Sequence, residues 1–502
     1  MTRKERILDG VVTLALALGL MRLYYATQPA VVNLDGLGYV KLIPHNFAAG
    51  HLLYMPLLRV LARICHGNGL LAGHLLSAGA AALAVAIFYR CARQLLALPS
   101  ALVAAAGLAV SYAVWVQGAD VEAYACALLG LTLVLAAALA WRASPTVPRA
   151  LLLGIAFAVA VCFHLTHVLL TPFVCVWIFA HSPKRPFAHS ALLHTALATV
   201  TGGALTLGYY AYACFVVRHL DLAGSVKWIA TAGHGFHYEG GGLARLADAI
   251  YGFAKSFVWA PYLYESNAQH LLAQFLLGLI PLVTVVALIA VGRRRVKELL
   301  PTGALVAWVA PYALMALAFF GSDHERWLFV LPALWLALAA SLDGKSYARA
   351  FSVALVAYLA VANAATAIGP ARHESWDKTR ADAASAPLAR DDLVLFPGHS
   401  WDEYVGFYAG KQIVPFPLAY YAGRDGKEAM VKRLDEEIKR ARARKSNIWA
   451  VRLYDDEEDS RGFYELQTLG LPRAALLDLL TRFHAVKFTT VEPRVNIWRL
   501  DD

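Results

Sequence analysis

The 502 residues are 59% hydrophobic and only 16% charged, which excludes both a disordered chain and an ordinary soluble domain. A formal net charge of +10 raises nucleic-acid binding, but the basic residues gather at the ends of apolar segments, a topological pattern with no phosphate-binding face. The six cysteines, Cys65, Cys91, Cys126, Cys162, Cys175 and Cys214, lie in or beside apolar segments, so neither a disulfide framework nor a zinc spacing is expected.

In chain order, residues 7–26 follow Arg3, Lys4 and Arg6, the layout of a signal peptide. Leu23-Tyr24-Tyr25 prolongs the segment and no small-x-small site follows, so it is read as a retained span. A polar stretch, 28–68, comes next, with Asp35 on a Gly-flanked turn in Asn33-Leu34-Asp35-Gly36-Leu37-Gly38-Tyr39. Within it, Leu52, Leu53, Leu57, Val60, Leu61 and Ile64 recur at helical spacing beside Arg59, Arg63 and His66. This predicts an interfacial helix over 51–66 on the outer leaflet, its charges meeting lipid phosphates or a lipid-phosphate substrate.

Residues 69–89, 94–119, 150–183, 186–217, 299–322 and 351–371 hold no Asp, Glu, Lys or Arg. Runs of this length cross a hydrocarbon core of about 30 Å, which takes roughly 20 helical residues. Beyond the first span, ten more are read at 69–89, 95–116, 121–141, 150–163, 166–181, 190–217, 269–291, 299–320, 327–342 and 348–368, with a bend around His164. With the N-terminus cytoplasmic, the inner segments hold fifteen Lys and Arg against eight in the outer loops, which favours that orientation. An odd number of spans then leaves the C-terminal region outside. The outer loop 218–270 contains a Gly- and aromatic-rich run at 233–242 that lacks a Walker Lys-Ser/Thr ending, so it is not a nucleotide P-loop.

After Gly369-Pro370 the composition becomes polar. Strands are predicted at 393–396, 413–416, 448–453 and 495–499, alternating with helices near 401–409, 427–445 and 473–483, the pattern of a small α/β domain. The fold class read from the sequence is thus a polytopic α-helical membrane protein of about 11 transmembrane helices (1–369, first outer loop 27–68) with a C-terminal soluble exoplasmic α/β domain (370–502).

In this topology four loops deliver ionisable groups to one face: Asp35; Asp120 and Glu122; His164 and His167; and Asp323, His324, Glu325 and Arg326. Ionisable groups near a bilayer core cost about 2.5–3.5 kcal/mol each, which argues against chance placement. Each has a structural reading beside the functional one. Asp35 suits a turn next to Gly, Glu122 complements a helix dipole, the histidines suit helix ends, and Arg326 suits an ion pair with Glu325 or Asp323. A zinc site from His164, His167 and a carboxylate lacks an identified third ligand.

These residues resemble the motifs of the GT-C superfamily of polyprenyl-phosphate-sugar-dependent glycosyltransferases, in its protein-O-mannosyltransferase-like branch. Asp35 matches the acidic residue of the first outer loop. His51-Leu52-Leu53-Tyr54-Met55-Pro56 is similar to His-Pro-Pro-x-Tyr-Pro, without its first two prolines and with the Tyr shifted. Val121-Glu122-Ala123-Tyr124 resembles Val-x-Glu-x-Tyr, and Phe163-His164-Leu165-Thr166-His167 resembles a His-His-x-Thr turn with the histidines separated. Glu325-Arg326-Trp327 followed by Pro332 is similar to Glu-Arg-Tyr followed by Pro.

The resemblance implies a lipid-linked sugar donor, an inverting single displacement, and an acceptor that is protein, lipid or glycan. It makes Asp35 the catalytic base, with Asp120, Glu122, His51, Tyr54, His164, His167, Glu325 and Arg326 binding substrate. It calls for no cofactor and leaves a divalent metal open. Bilayer and donor are the expected partners, with no nucleic acid, in a bacterial plasma membrane. A secondary transporter would instead place charges near the midplane and show repeats, and neither is visible; a non-catalytic assembly protein of the same fold is the other alternative.

Overall fold

The computed structural model describes residues 3–43, 47–182, 189–230, 242–260, 267–319, 321–343, 346–373, 376–397, 401–408, 410, 412–451, 453, 466, 470–481, 483–491 and 495–501. They form two compact units, Met1–His373 and Glu374–Asp502.

The first unit is helical. Its elements are α1 (Arg3–Ala26), α2 (Leu34–Leu42), α3 (Tyr54–Ile64), α4 (Gly69–Arg93), α5 (Leu98–Val110), α6 (Tyr112–Ala119), α7 (Ala123–Ala143), α8 (Val147–Phe163) and α9 (Thr171–His181). They continue with α10 (His189–Ala211), α11 (Leu222–Ala230), α12 (Gly242–Phe257), α13 (Asn267–Val291), α14 (Arg293–Leu299), α15 (Thr302–Ala318), α16 (His324–Trp327), α17 (Leu331–Leu342) and α18 (Ser346–Asn363). Among the described residues five helices are long and apolar enough to cross a membrane, or seven if the bent pairs α5–α6 (61°) and α13–α14 (73°) each count as one. Four shorter apolar helices accompany them.

Starts and stops follow local chemistry. Asn33, Asn68, Glu122 and Asp323 each accept a backbone N–H at the head of the following helix, satisfying donors that have no intrahelical partner. Proline stands in the first turn of α5, α8, α9 and α17, where its missing N–H costs nothing.

The interior packs many small residues among large aromatic ones such as Trp141, Trp177 and Trp335. Ala80, Ala81, Ala84, Val85, Ala125, Ala127, Ala337 and Ala340 are all nearly or fully buried, and a Cβ on Gly107 would overlap the Trp335 ring. Such residues let helix backbones approach closely where lipid supplies no hydrophobic drive. Several polar atoms inside the bundle are paired, as hydrocarbon favours. Trp177 Nε1 donates to Ala138 O (2.9 Å), Trp308 Nε1 to Phe329 O (3.0 Å), and Asn363 Nδ2 to both Val110 O and Phe257 O (2.8 Å each). At the bundle end holding the head of α1, Asp9 accepts from Tyr89 Oη (2.8 Å) and Arg93 Nε (2.9 Å). There too Asp343 accepts from Ser100 Oγ (2.7 Å) and lies 3.7 Å from Arg295.

Several expectations are corrected. The segment around Asp35 is not a turn: Asn33 caps it and Leu34–Leu42 is helical. The span read over 95–116 breaks at Ser111, whose Oγ donates back to Gly107 O (2.7 Å) while accepting from Trp335 Nε1 (3.0 Å); such back-bonding bends helices. The span read from 327 begins at Leu331, with the single turn α16 before it.

The interfacial helix runs only over Tyr54–Ile64; it buries Tyr54, Met55, Leu58 and Ala62 and exposes Leu57, Val60 and Ile64. Its Arg59 Nε donates to Ile43 O (2.9 Å), tying α3 to the end of α2. The Gly-rich run at 233–242 lies, except for Gly242, outside the described residues.

The second unit holds a five-stranded sheet in the order β2-β1-β3-β5-β4. The strands are β1 (Leu393–Phe396), β2 (Val414–Pro417), β3 (Ile448–Val451), β4 (His484–Val491) and β5 (Val495–Asp501). β1 pairs parallel with β2 and β3; β5 runs antiparallel to β3 and β4. Every residue of β1 and β3 is buried, as central parallel strands require. The helix Lys427–Ala443 turns Met430, Leu434, Ile438 and Ala441 to the same core. Sequence periodicity missed β4 and the helices Trp376–Ser385 and Leu418–Asp425.

Candidate active site

The polar residues collect at the end of the bundle where α2, α7 and α16 begin. Asn33 joins two loops. Its Oδ1 accepts from Gly36 N (2.7 Å), its Nδ2 donates to Glu122 Oε1 (2.5 Å), and its backbone N–H lies 3.3 Å from Asp120 Oδ2.

Glu122 is 1% exposed. Its second oxygen accepts from Ala123 N (3.2 Å), and its backbone is clasped by Ser77 Oγ, which accepts from Glu122 N (2.9 Å) and donates to Glu122 O (3.1 Å). Val121 is wedged between two glycines. A Cβ at Gly36 would fall 2.5 Å from Val121 O, and one at Gly73 2.5 Å from Val121 Cγ1, so only Gly permits this approach of α2, α4 and the 120–122 turn.

Asp35 stands two residues beyond Asn33 in the first turn of α2 and is exposed. Its charge bears on Asp120, Glu122, Glu325 and Arg326. Burial lifts Asp120 to about 7, against the opposing N–H bonds of Val121 and Asn33. A buried carboxyl resists ionisation because desolvation penalises the charged form.

The loop before α17 supplies the cation. Asp323 caps α16 through Glu325 N (3.1 Å) and lies 3.7 Å from Arg326 Nε. Arg326 Nη1 donates to Tyr124 Oη (3.3 Å), and Gln117 Nε2 donates to Glu325 Oε1 (3.1 Å). Burial, then the Asp323 charge, raises Glu325 to about 8 while Arg326 opposes them. A second cation, Lys255, lies 4.2 Å over the Trp259 ring, and Trp259 stacks on His324 at 6.4 Å. Burial, then Lys255, lowers His324 to about 3, so its ring is neutral.

An aromatic wall completes the cluster. His51 meets His164 at 4.7 Å and Tyr124 at 6.0 Å, and Tyr39 meets His51 at 5.8 Å and Tyr54 at 5.0 Å. His51 Nδ1 pairs with Phe163 O (3.2 Å), so that nitrogen carries the proton. His164 caps the turn that follows it; Thr166 N (3.2 Å) and Thr166 Oγ1 (2.7 Å) both meet Nδ1, which leaves the proton on Nε2. His167 is used up by the fold. Its Nδ1 is 2.6 Å from Tyr312 Oη and its Nε2 2.9 Å from Ala127 O, so a substrate phosphate finds neither nitrogen available.

Asp35, Asp120, Glu122, His51, Tyr54, His164, Glu325 and Arg326 therefore gather in one region, and His167 lies behind it. Sequence reading missed Asn33, Ser77, Gln117, Lys255 and Trp259. Only Asn33 carried a local signal, that of an N-cap two residues ahead of Asp35.

Among the described residues one group of three candidate metal ligands clusters, Asp323, His324 and Glu325, with donor atoms within 4.8 Å of one another. Both ring nitrogens of His324 lack hydrogen-bond partners. The carboxylates, however, are already engaged by Glu325 N, Arg326 and Gln117, and the positive charges of Lys255 and Arg326 bear on His324. These partners compete with a cation for the cluster, whose field also includes the Asp323 and Asp35 carboxylates.

Residues 64–186 match the sequence family described as the protein O-mannosyl-transferase TMEM260 N-terminal domain. The matched stretch contains Asp120, Glu122, His164 and His167. The chain is similar in structure to the oligosaccharyltransferase AglB from Archaeoglobus fulgidus in complex with an inhibitory peptide and a dolichol-phosphate, with TM-score 0.53 and 12% identity over 96% of this chain and 73% of that one. An Archaeoglobus fulgidus oligosaccharyltransferase tethered with an acceptor peptide gives TM-score 0.52 and 12% identity over 97% of this chain and 74% of that one. ArnT from Cupriavidus metallidurans bound to undecaprenyl phosphate gives only TM-score 0.41 and 14% identity over 97% of each chain, so the fold assignment rests on the archaeal protein.

No curated protein sequence matches the chain. The helical bundle with its polar end is thus a membrane-embedded GT-C fold. The chain shares the fold of the archaeal oligosaccharyltransferase, and its 64–186 segment matches the O-mannosyl-transferase family.

Proposed function

We propose that the chain transfers a sugar from a polyprenyl-phosphate donor to a hydroxyl acceptor at the outer face of the membrane, with inversion at the sugar carbon. The observation behind this reading is the meeting of one exposed carboxylate, Asp35, with buried carboxylates and the Arg326 guanidinium at a single end of the bundle. Asp35 takes the acceptor proton as the acceptor oxygen bonds to the anomeric carbon. The carbon–oxygen bond to phosphate breaks on the opposite face, and polyprenyl phosphate leaves with the electron pair. General-base catalysis of this kind contributes about 10²–10⁴-fold. Arg326 steadies the departing phosphate, a task its planar fork suits, and Glu122 orients the sugar.

Mannose is the first sugar to test, given the family that residues 64–186 match. Reading the bent pairs and the short apolar helices of the described residues as spans supports a count of about eleven. With the basic end cytoplasmic, the site faces outward. The test is transfer from polyprenyl-phosphate-mannose in proteoliposomes. Asp35→Asn should lower turnover at least about 10²-fold at unchanged expression; turnover equal to wild type rejects Asp35 as base.

A further inference from the structure

We propose that Asn33 is a positioning residue of the transfer site, one amide that fixes the helix carrying Asp35 against the carboxylate of Glu122. The inference rests on the transferase reading and extends it to a residue that touches no substrate. Three observations carry it. The amide orientation is determined, since only an oxygen can accept from Gly36 N at 2.7 Å. That leaves the NH2 for Glu122 Oε1, and the contact closes at 2.5 Å. The backbone N–H of the same residue is directed at the Asp120 carboxylate, 3.3–3.4 Å away.

One residue therefore begins α2, orients Glu122 and faces Asp120, across 87–89 residues of sequence. Gly36 explains why the contact can be so short, because its missing side chain lets α2 settle on Val121. Asn is suited because capping needs an acceptor while Glu122 needs a donor, and an amide holds both in one plane. Asp or Ser caps a helix about as well as Asn. Ser, however, is too short to reach the same Glu122 oxygen while capping.

This separates the two roles by experiment. Asn33→Ser keeps the cap and loses the bond to Glu122, whereas Asn33→Ala loses both. With polyprenyl-phosphate-mannose as the probe in proteoliposomes, the cap-keeping variant should fold in wild-type amounts. Its kcat should fall at least tenfold while KM for the donor changes less than threefold. Asn33→Ala should show the same kcat loss with a lower thermal midpoint as well. Because the amide acts through Glu122, adding Asn33→Ser to Glu122→Gln should cost much less than the product of the two single losses. A cap-keeping variant with wild-type kcat, or strictly multiplicative losses, overturns the assignment. A wild-type protein without transfer sinks the transferase reading and this one with it, whereas an active wild type matched by Asn33→Ser refutes Asn33 alone.

Discussion

Gly73→Ala tests the wedge at Val121. The added methyl would lie 2.5 Å from Val121 Cγ1 and 2.9 Å from Cγ2. Non-bonded carbons rest about 3.5–4.0 Å apart, so one partner must retreat by roughly 1 Å. Val121 has little room on its other side, where Gly36 already closes on its carbonyl, so the displacement passes to its neighbours Asp120 and Glu122. A shift of about 1 Å in groups that position substrate costs on the order of 10²-fold in rate, or about 2.7 kcal/mol. The overpacking itself removes about 1–3 kcal/mol of stability.

Val121→Ala deletes both clashing carbons and leaves only Cβ, 3.2 Å from the new methyl. The double variant Gly73→Ala/Val121→Ala should therefore regain most of the lost rate. The assay is transfer from polyprenyl-phosphate-mannose in proteoliposomes, normalised to folded protein, with thermal inactivation measured in parallel. Gly73→Ala within threefold of wild type, or a double variant no better than Gly73→Ala, refutes the reasoning.

Two further outcomes follow from the same geometry. Asp120 holds its proton to about 7 in the folded protein, whereas an unfolded chain releases it near 3.9. The raised value means that stability declines as pH rises from about 4 to 7 and levels off above, and Asp120→Asn should remove that part of the slope in thermal inactivation measured across this range. Asn363→Ala strands Val110 O, Phe257 O and the Trp259 N–H that Asn363 Oδ1 accepts at 3.3 Å. At about 1–3 kcal/mol for each unsatisfied buried group, it should deplete folded protein in size-exclusion profiles while leaving the rate per folded molecule near that of wild type.

The helices were legible because uncharged runs and basic ends are local signals, and the acidic and basic site residues because such groups are rare in this composition. The break at Ser111 was not legible, since it depends on Trp335, 224 residues away, donating to the Ser111 hydroxyl. Gln117 was overlooked for the same reason: it is neutral, and its partner Glu325 lies 208 residues on. His167 looked equivalent to His164 until Tyr312 and Ala127 were seen to occupy both its nitrogens. β4 was missed because Lys487, Thr489 and Thr490 interrupt its apolar pattern and its register shifts between Lys487 and Thr489. Asn33, Glu122, His164 and Asp323 are helix caps that also line the candidate site, so a structural role does not exclude the proposed functional one for these residues.

The alanine-lined interior has a mechanical corollary. Buried alanines have no rotamers to reshuffle, so the alanine-rich stretches of α4, α7 and α17, packed among close-fitting aromatics, form a frame that transmits strain instead of absorbing it. Whatever breathing a catalytic cycle requires must be taken up by the short peripheral elements, α2, α3, α11, α12 and α16. Diversification of substrate range in related chains should accordingly accumulate in those pieces while the frame stays fixed.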